Sequence, residues 1–206
     1  MKNGELSIEE FLSYRDEILK SLGSEDAYEV KQKVVSYFDA ISSEKITEKD
    51  VFRMEAEIVS GLLDGSFVNI NRYHNEKRSL EILAFSGLSS LVETMIKFGS
   101  VKIVGKELLL EDKFAELMLM RGILHRIPGG LKDAVLKGYP DALVTLLDEM
   151  FGPFLCYAGG FLYRGQLVGN LAIVTKNIMI DSGHERIINL FLPVFGVAEM
   201  IYRKSS

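Results

Sequence analysis

Two amide side chains, Asn69 and Asn71, are the polar residues whose spacing is most informative about chemistry. They lie in the segment SFVNINRY, where a two-residue repeat gives one face of a predicted strand the residues Phe67, Asn69, Asn71 and Tyr73. Two amides between two aromatic rings are typical of a ligand pocket, in which a few polar groups are set in apolar walls. The alternative is that the intervening valine and isoleucine face the core while the amide face meets solvent.

His125 is the second candidate, because it lies in the middle of a predicted strand, ILHRI. A histidine whose nitrogens are satisfied by backbone groups is the simpler interpretation, and a ligand-contacting histidine is the alternative. Asn170 joins the candidate site if its own strand presents it on the same face. The predicted ligand-binding residues are therefore Asn69, Asn71, Tyr73, His125 and Asn170.

The sequence contains no recognisable catalytic or metal-binding constellation. The three histidines, His74, His125 and His184, are too far apart for a local metal motif. The acidic residues occur at spacings that suit solvated helix faces, and the serines lack the context of a nucleophile elbow. The single cysteine, Cys156, alternates with apolar residues and is expected to be a buried, inert thiol, with redox sensing as the alternative. We therefore predict no catalytic residues and no metal site.

Helices are predicted for the first third of the chain. Apolar residues recur at three- and four-residue intervals in segments 7–22 and 24–41. Thr47, followed by Asp50 three positions later, is an N-cap pattern for a third helix that ends near Asp64-Gly65.

From Ser66 onward the apolar period changes to that of strands. SFVNINRY and SLEILAFSG predict a strand pair, followed by a helix at 88–99 and a strand in SVKIV at 100–104. A helix at 111–122, the strand ILHRI and a helix at 139–152 come next. The segment FLYRGQLVGNLAIV predicts a hairpin, in which Gly165 allows the turn and Gly169 permits a bulge or close approach. Adjacent strands with helices at both ends favour an α+β domain around a largely antiparallel sheet.

Composition restricts the class of protein. Apolar residues make up 48% of the 206 and charged residues 26%, which predicts a globular protein rather than a disordered one. A net charge of −5 argues against binding nucleic acid through a broad basic surface. One cysteine excludes a disulfide framework, and we expect a cytoplasmic location. We expect no membrane insertion, because the apolar stretches are short or interrupted.

The last predicted helix, HERIINLFLPVFGVAEMIYR, is apolar over more of its circumference than one sheet contact requires. The surplus must be buried against the N-terminal helices or against a second protomer. We expect a homodimer formed through the terminal helices.

The order of these elements resembles that of the GAF domain, a sensing module of signalling proteins. In that family a helix leads into a strand pair, a variable helical section covers a pocket, and a hairpin runs into a final helix. The hairpin FLYRGQLVGNLAIV, with a glycine past its turn, and the preceding IPGG turn are similar to GAF-like domains of archaeal and bacterial sensor histidine kinases. The resemblance covers residues 45–206 and leaves residues 1–44 as an N-terminal helical extension.

The resemblance implies a fold with an antiparallel sheet of five to six strands and a role in small-ligand sensing without catalysis. The ligand is unknown, and the expected partner is a histidine kinase or another signalling output domain. The family's cyclic-nucleotide signature is not found, and Cys156 does not lie where its bilin-binding members carry a cysteine. Three alternatives stay open: a ligand-free dimerisation scaffold, a haem-binding sensor with His125 as axial ligand, and a small enzyme.

Overall fold

The fold is that of an α+β domain built on one antiparallel sheet. The computed structural model describes residues 8–23, 28–43, 46–87, 104–110, 112–128, 145, 149, 154–176 and 179–203. The helix predicted at 88–99 lies outside these residues, as do nearly all of the strand predicted at 100–104 and most of the helix predicted at 139–152.

Six strands form the sheet, in the spatial order β3-β2-β1-β6-β5-β4, and every neighbouring pair is antiparallel. Along the chain they are β1 (Ser66–His74), β2 (Ser79–Gly87), β3 (Glu107–Leu109), β4 (Leu124–Ile127), β5 (Phe154–Tyr163) and β6 (Gln166–Lys176). The predicted antiparallel α+β sheet with N-terminal helices is therefore confirmed. The chain's two hairpins, β1–β2 and β5–β6, meet where β1 pairs with β6 at the centre of the sheet.

Five helices occur in the described part of the chain. They are α1 (Ile8–Ser21), α2 (Tyr28–Ser43), α3 (Glu48–Leu62), α4 (Lys113–Leu119) and α5 (Ser182–Arg203). Thr47 caps α3 as its sequence predicts, because its side chain accepts a hydrogen bond from the backbone N–H of Asp50 at 3.3 Å. Helices α3 and α5 pack on one face of the sheet, and α4 contacts β5.

The surplus apolar surface of α5 is covered within the chain. Helix α1 packs against α5, and the ring of Tyr37 on α2 lies edge-on to Phe195 of α5, with 5.9 Å between their centroids. Phe195 also contacts Phe161 of β5 at 5.5 Å. Of the two alternatives that the sequence left open, burial against the N-terminal helices therefore takes place, and the homodimer stays a prediction.

Glycines set the closest approaches to the sheet. Gly165 has φ of +73° in the β5–β6 turn, as predicted. A Cβ on Gly169 would lie 2.5 Å from the backbone oxygen of Asn71, so this residue permits close approach of β6 to β1. The edge strand β3 was not predicted; it begins at Glu107, and Val104, the last residue of SVKIV, lies in a turn.

Candidate ligand cavity on the sheet

A cavity of about 420 Å³ opens between α4 and the sheet face opposite α3 and α5. Its volume falls within the range typical of small-molecule sites. Its described lining is mostly apolar and comes from β2–β6, α4 and their connections: Leu80, Leu109, Leu110, Asp112, Phe114, Ala115, Met118, Leu119, His125, Arg126, Ile127, Pro128, Ala158, Asn170 and Ala172.

The floor of the cavity follows one row of residues across four strands. The register pairs His125 with Ala158, Ala158 with Ala172, and Ala172 with Asn69. The two alanines in the middle of the row have the shortest side chains, so they leave space under α4 for a ligand. Polar groups stand at both ends of the row. Strand spacing of about 4.8 Å places the backbones of His125 and Asn69 about 14 Å apart.

His125 supplies a buried, available nitrogen at one end of this row. Its Nε2 atom is shielded from solvent and has no hydrogen-bond partner among the residues that the structure describes. Burial lowers the pKa of His125, and the Arg121 guanidinium lowers it further, against a weaker opposite effect of Glu185. The imidazole is therefore neutral at pH 7. The simpler interpretation from sequence, a histidine satisfied by backbone groups, does not hold for Nε2.

Three buried amides form the other end. Asn71 Nδ2 donates to Asn170 Oδ1 at 3.0 Å, and this pair joins β1 to β6. Asn170 lines the cavity and Asn71 does not. The hydrogen bond from Asn71 fixes the direction of the Asn170 amide. The Oδ1 atoms of Asn69 and Asn71 are buried, and neither has a hydrogen-bond partner within the described part of the chain. The amide face of β1 is thus buried, and the alternative in which it meets solvent is wrong.

Tyr73 holds α4 against the sheet. Its hydroxyl donates to Glu116 Oε1 at 2.6 Å, while Arg78 donates to Glu116 Oε2 from Nε at 3.0 Å and from Nη2 at 2.6 Å. Burial and this carboxylate raise the pKa of Tyr73 to about 12. In the described structure Tyr73 therefore positions the helix over the cavity.

On the opposite face of the sheet, a charged network joins β1 to the helices. Arg72 binds Glu48 at the start of α3 and donates from Nε to Glu199 Oε1 on α5 at 2.6 Å. Arg203 also binds Glu199 and donates to the backbone oxygens of Tyr73 and Val168, both at 3.0 Å. Tyr73 is thus tied to α4 by its side chain and to the end of α5 by its backbone.

A buried carboxyl group lies among the helices on this face. Glu55 is 0% exposed; its Oε1 accepts from the Tyr37 hydroxyl at 2.7 Å, and its Oε2 has no partner. Burial raises the pKa of Glu55 well above its ordinary value, opposed by the Tyr37 hydrogen bond and assisted by Glu199.

Replacing this carboxyl group should change how stability depends on pH. The folded state holds a proton on Glu55 that the unfolded chain releases above about pH 4.5. Release of this proton favours the unfolded state, so the contribution of Glu55 to stability falls as pH rises. Glu55→Gln keeps an acceptor for Tyr37 but does not titrate. We expect the free energy of unfolding of E55Q, relative to that of wild type, to increase steadily above pH 4.5. Urea unfolding between pH 4.5 and 8 measures this, and a pH-independent difference would show that Glu55 is not held protonated.

Metal and membrane features are not seen in the described residues. They contain no group of three or more His, Cys, Asp or Glu side chains placed to hold a metal ion. None of the helices searched is long and apolar enough to cross a membrane. Cys156 is buried in β5 on the strand face it shares with Ala158.

The sequence did not indicate several residues of the cavity and of the network on the opposite face of the sheet. The alanines of the floor carry no chemical signal of their own, and the Tyr73–Glu116 contact depends on how the chain folds. A signal did exist for the buried acids, since Glu55 interrupts the apolar stripe of α3 and Glu199 that of α5.

Solved structures with the same fold include GAF domains of phytochromes and of phosphotransferases. The phycocyanobilin-bound GAF domain of a cyanobacterial phytochrome superposes with a TM-score of 0.55 at 14% identity, covering 92% of this chain and 94% of that one. The GAF domain of an Acinetobacter phosphoenolpyruvate-protein phosphotransferase gives 0.54 at 13%, covering 95% of each. Its counterpart from Coxiella burnetii gives 0.55 at 12%, covering 97% of each.

These superpositions show that the fold, an antiparallel sheet with helices packed on it, is shared over nearly the whole chain. That fold is the GAF-domain fold, as the order of elements in the sequence predicts. No family profile matches the sequence. None of the curated proteins matches it either.

Proposed function

We propose that this chain is a sensory or regulatory domain that binds a small molecule in the cavity between α4 and the sheet. The observation that carries the proposal is the cavity itself, about 420 Å³ with mostly apolar walls and an unpartnered, buried His125 nitrogen. A binding site needs both features, because apolar walls supply affinity and a few polar groups fix orientation. We assign no catalysis to the domain.

We further propose that Tyr73 links occupancy of the cavity to the terminal helices. A ligand under α4 would alter the Tyr73–Glu116 contact, and the backbone oxygen of Tyr73 accepts from Arg203 at the end of α5. Arg203 in turn contacts Glu199, which binds Arg72. A shift of α4 therefore has a continuous hydrogen-bonded route to α5 and α3.

Two of the alternatives that the sequence left open are a ligand-free scaffold and a haem-binding sensor. A ligand-free scaffold is disfavoured by the open volume, because a scaffold would fill that space with its own side chains. A haem-binding sensor is supported by one observation, the presence of His125 in the cavity wall with a free Nε2. An absorbance spectrum of the protein mixed with haemin distinguishes it, since histidine ligation would produce a shifted Soret band.

A filled-cavity variant tests the proposed site. Ala158→Phe places an aromatic ring above the floor, where two alanines now leave space. Wild type should show nuclear magnetic resonance shift changes in β4–β6 and α4 when titrated with a small-molecule extract of the cells that make the protein. The variant should lose these changes while keeping its melting temperature within a few degrees.

Leu117→Phe is the matched control, because it adds a ring to α4 at a position that is 61% exposed and outside the described lining. It should bind as wild type does. Shift changes that persist in A158F would place the binding site elsewhere and overturn the proposal.

The output partner and the oligomeric state are parts of the same proposal. A histidine kinase or another signalling domain would receive the movement of α5, and a homodimer would form through the terminal helices. Light scattering at micromolar concentration tests the dimer, and a monomeric mass would count against it. The boundary near residue 45, between the helical extension and the sensor domain, also stays a prediction.

A further inference from the structure

The charged side chains at or near the described cavity are exposed or already engaged. Asp112 caps α4 by accepting from the backbone N–H of Phe114 at 2.8 Å. Arg126 is exposed, and strand alternation puts its side chain with Leu124 on the opposite face of β4 from His125. Glu116 is saturated by Tyr73 and Arg78. Asp112 and Arg126 are thus the charged residues of the described lining, and both are exposed at its edge rather than on its floor.

The hydrogen-bonding groups that remain are uncharged and stand on either side of an apolar floor. His125 offers Nε2 on β4. Asn170 lies two strands away on β6. Its amide oxygen is fixed by Asn71, and among the described residues its amide nitrogen contacts the oxygen of Leu171 at 3.4 Å and no other acceptor. An amide nitrogen carries two hydrogens, so one is available. The methyl groups of Ala158 and Ala172 form the described floor beside these two residues.

We propose that the cavity selects an uncharged, largely apolar molecule whose polar edge hydrogen-bonds to Nε2 of His125, with a second polar group reaching Asn170. This inference rests on the proposed function and specifies its ligand class. A charged group buried on this floor would lose its hydration without gaining an opposite charge there, so the walls that bind a neutral ring disfavour a carboxylate.

Four bicyclic probes of similar size test the ligand class. Indole donates a hydrogen bond, quinoline accepts one, benzothiophene does neither well, and indole-3-carboxylate adds a negative charge. Neutral imidazole is able to donate or accept at Nε2, depending on its tautomer. We expect indole or quinoline to bind roughly five- to tenfold more tightly than benzothiophene, as one buried hydrogen bond allows. Indole-3-carboxylate should bind more weakly than indole.

Two variants identify the residue that gives the preference for indole or quinoline over benzothiophene. His125→Phe keeps a ring and removes the nitrogens, so indole, quinoline and benzothiophene should bind it with equal affinity. Asn170→Leu should leave the preference over benzothiophene intact, because that preference comes from His125. Dissociation constants are obtained from nuclear magnetic resonance titrations of the full chain, and the shifted resonances identify the site.

The outcomes separate this inference from the proposed function. If benzothiophene binds wild type as tightly as both polar rings, or if the carboxylate binds more tightly than indole, the cavity binds ligands but the assigned class is wrong. If no probe shifts cavity resonances at millimolar concentration, the proposed function fails as well. A preference for indole or quinoline that survives His125→Phe would remove His125 from the site.

Discussion

Arg72→Met should cost about 3–5 kcal/mol of unfolding free energy, the range expected when one partner of a buried ion pair is removed. Arg72 lies between Glu48 and Glu199, and the Glu199 side chain is only 2% exposed. The methionine would fill most of the space but leave a buried carboxylate with Arg203 as its one remaining basic partner among the described residues. Urea denaturation at pH 7 gives the difference directly.

The control for this experiment is Arg53→Met on α3. Arg53 also pairs with two acids, Asp50 at 3.0 Å and Glu57 at 3.8 Å, but its side chain is 58% exposed. Solvent screening limits such pairs to less than about 1 kcal/mol. Adding Glu199→Gln to Arg72→Met should recover part of the loss, because it removes the uncompensated charge. Equal losses for the two arginine variants would refute the role assigned to the buried network.

Gly160→Ala should be the most damaging small substitution near the cavity. A Cβ at this position would lie 2.0 Å from the backbone oxygen of Leu119 and 3.0 Å from Cδ1 of Leu167. Because the first contact is with backbone, the C-terminal end of α4 must move away from β5. We expect a loss of about 3 kcal/mol, at the upper end of ordinary overpacking, together with faster amide hydrogen exchange in α4.

Gly165→Ala provides the comparison within the same pair of strands. Gly165 has φ of +73° and open space around its Cβ position. Its replacement should cost about 1–2 kcal/mol through backbone strain alone, without changing exchange in α4. If both variants lose the same stability and α4 exchanges at the wild-type rate in G160A, then Gly160 is not needed for the close packing of α4 on β5.

Local sequence patterns were sufficient to predict the elements whose periodicity is strong. The capped helix beginning after Thr47 and the β5–β6 hairpin with Gly165 are found as predicted, because capping and turn chemistry depend on neighbouring residues. The edge strand beginning at Glu107 was missed. It has three residues, only Leu108 of which is not exposed, so it lacks a distinguishing apolar alternation.

Only part of the candidate site could be predicted from the sequence. Period-two geometry puts Asn69, Asn71 and Tyr73 on one face, but it does not tell that this face is buried as well as the face of Val68 and Ile70. The cavity depends on the register that aligns Ala158 and Ala172 between His125 and Asn69, and register across four strands is a long-range property. Ligand contact by Tyr73 stays a prediction, and the hydrogen bond from its hydroxyl to Glu116 was not predicted. Pairings of this kind emerge only when distant segments of the chain meet.

The most direct test of the central claim is a crystal structure of the protein after incubation with a small-molecule extract of the cells that make it. We expect electron density for a small molecule under α4, over Ala158 and Ala172, with a polar atom within hydrogen-bonding distance of His125 Nε2. A cavity closed by the protein's own side chains, or a ligand bound elsewhere on the domain, would contradict it.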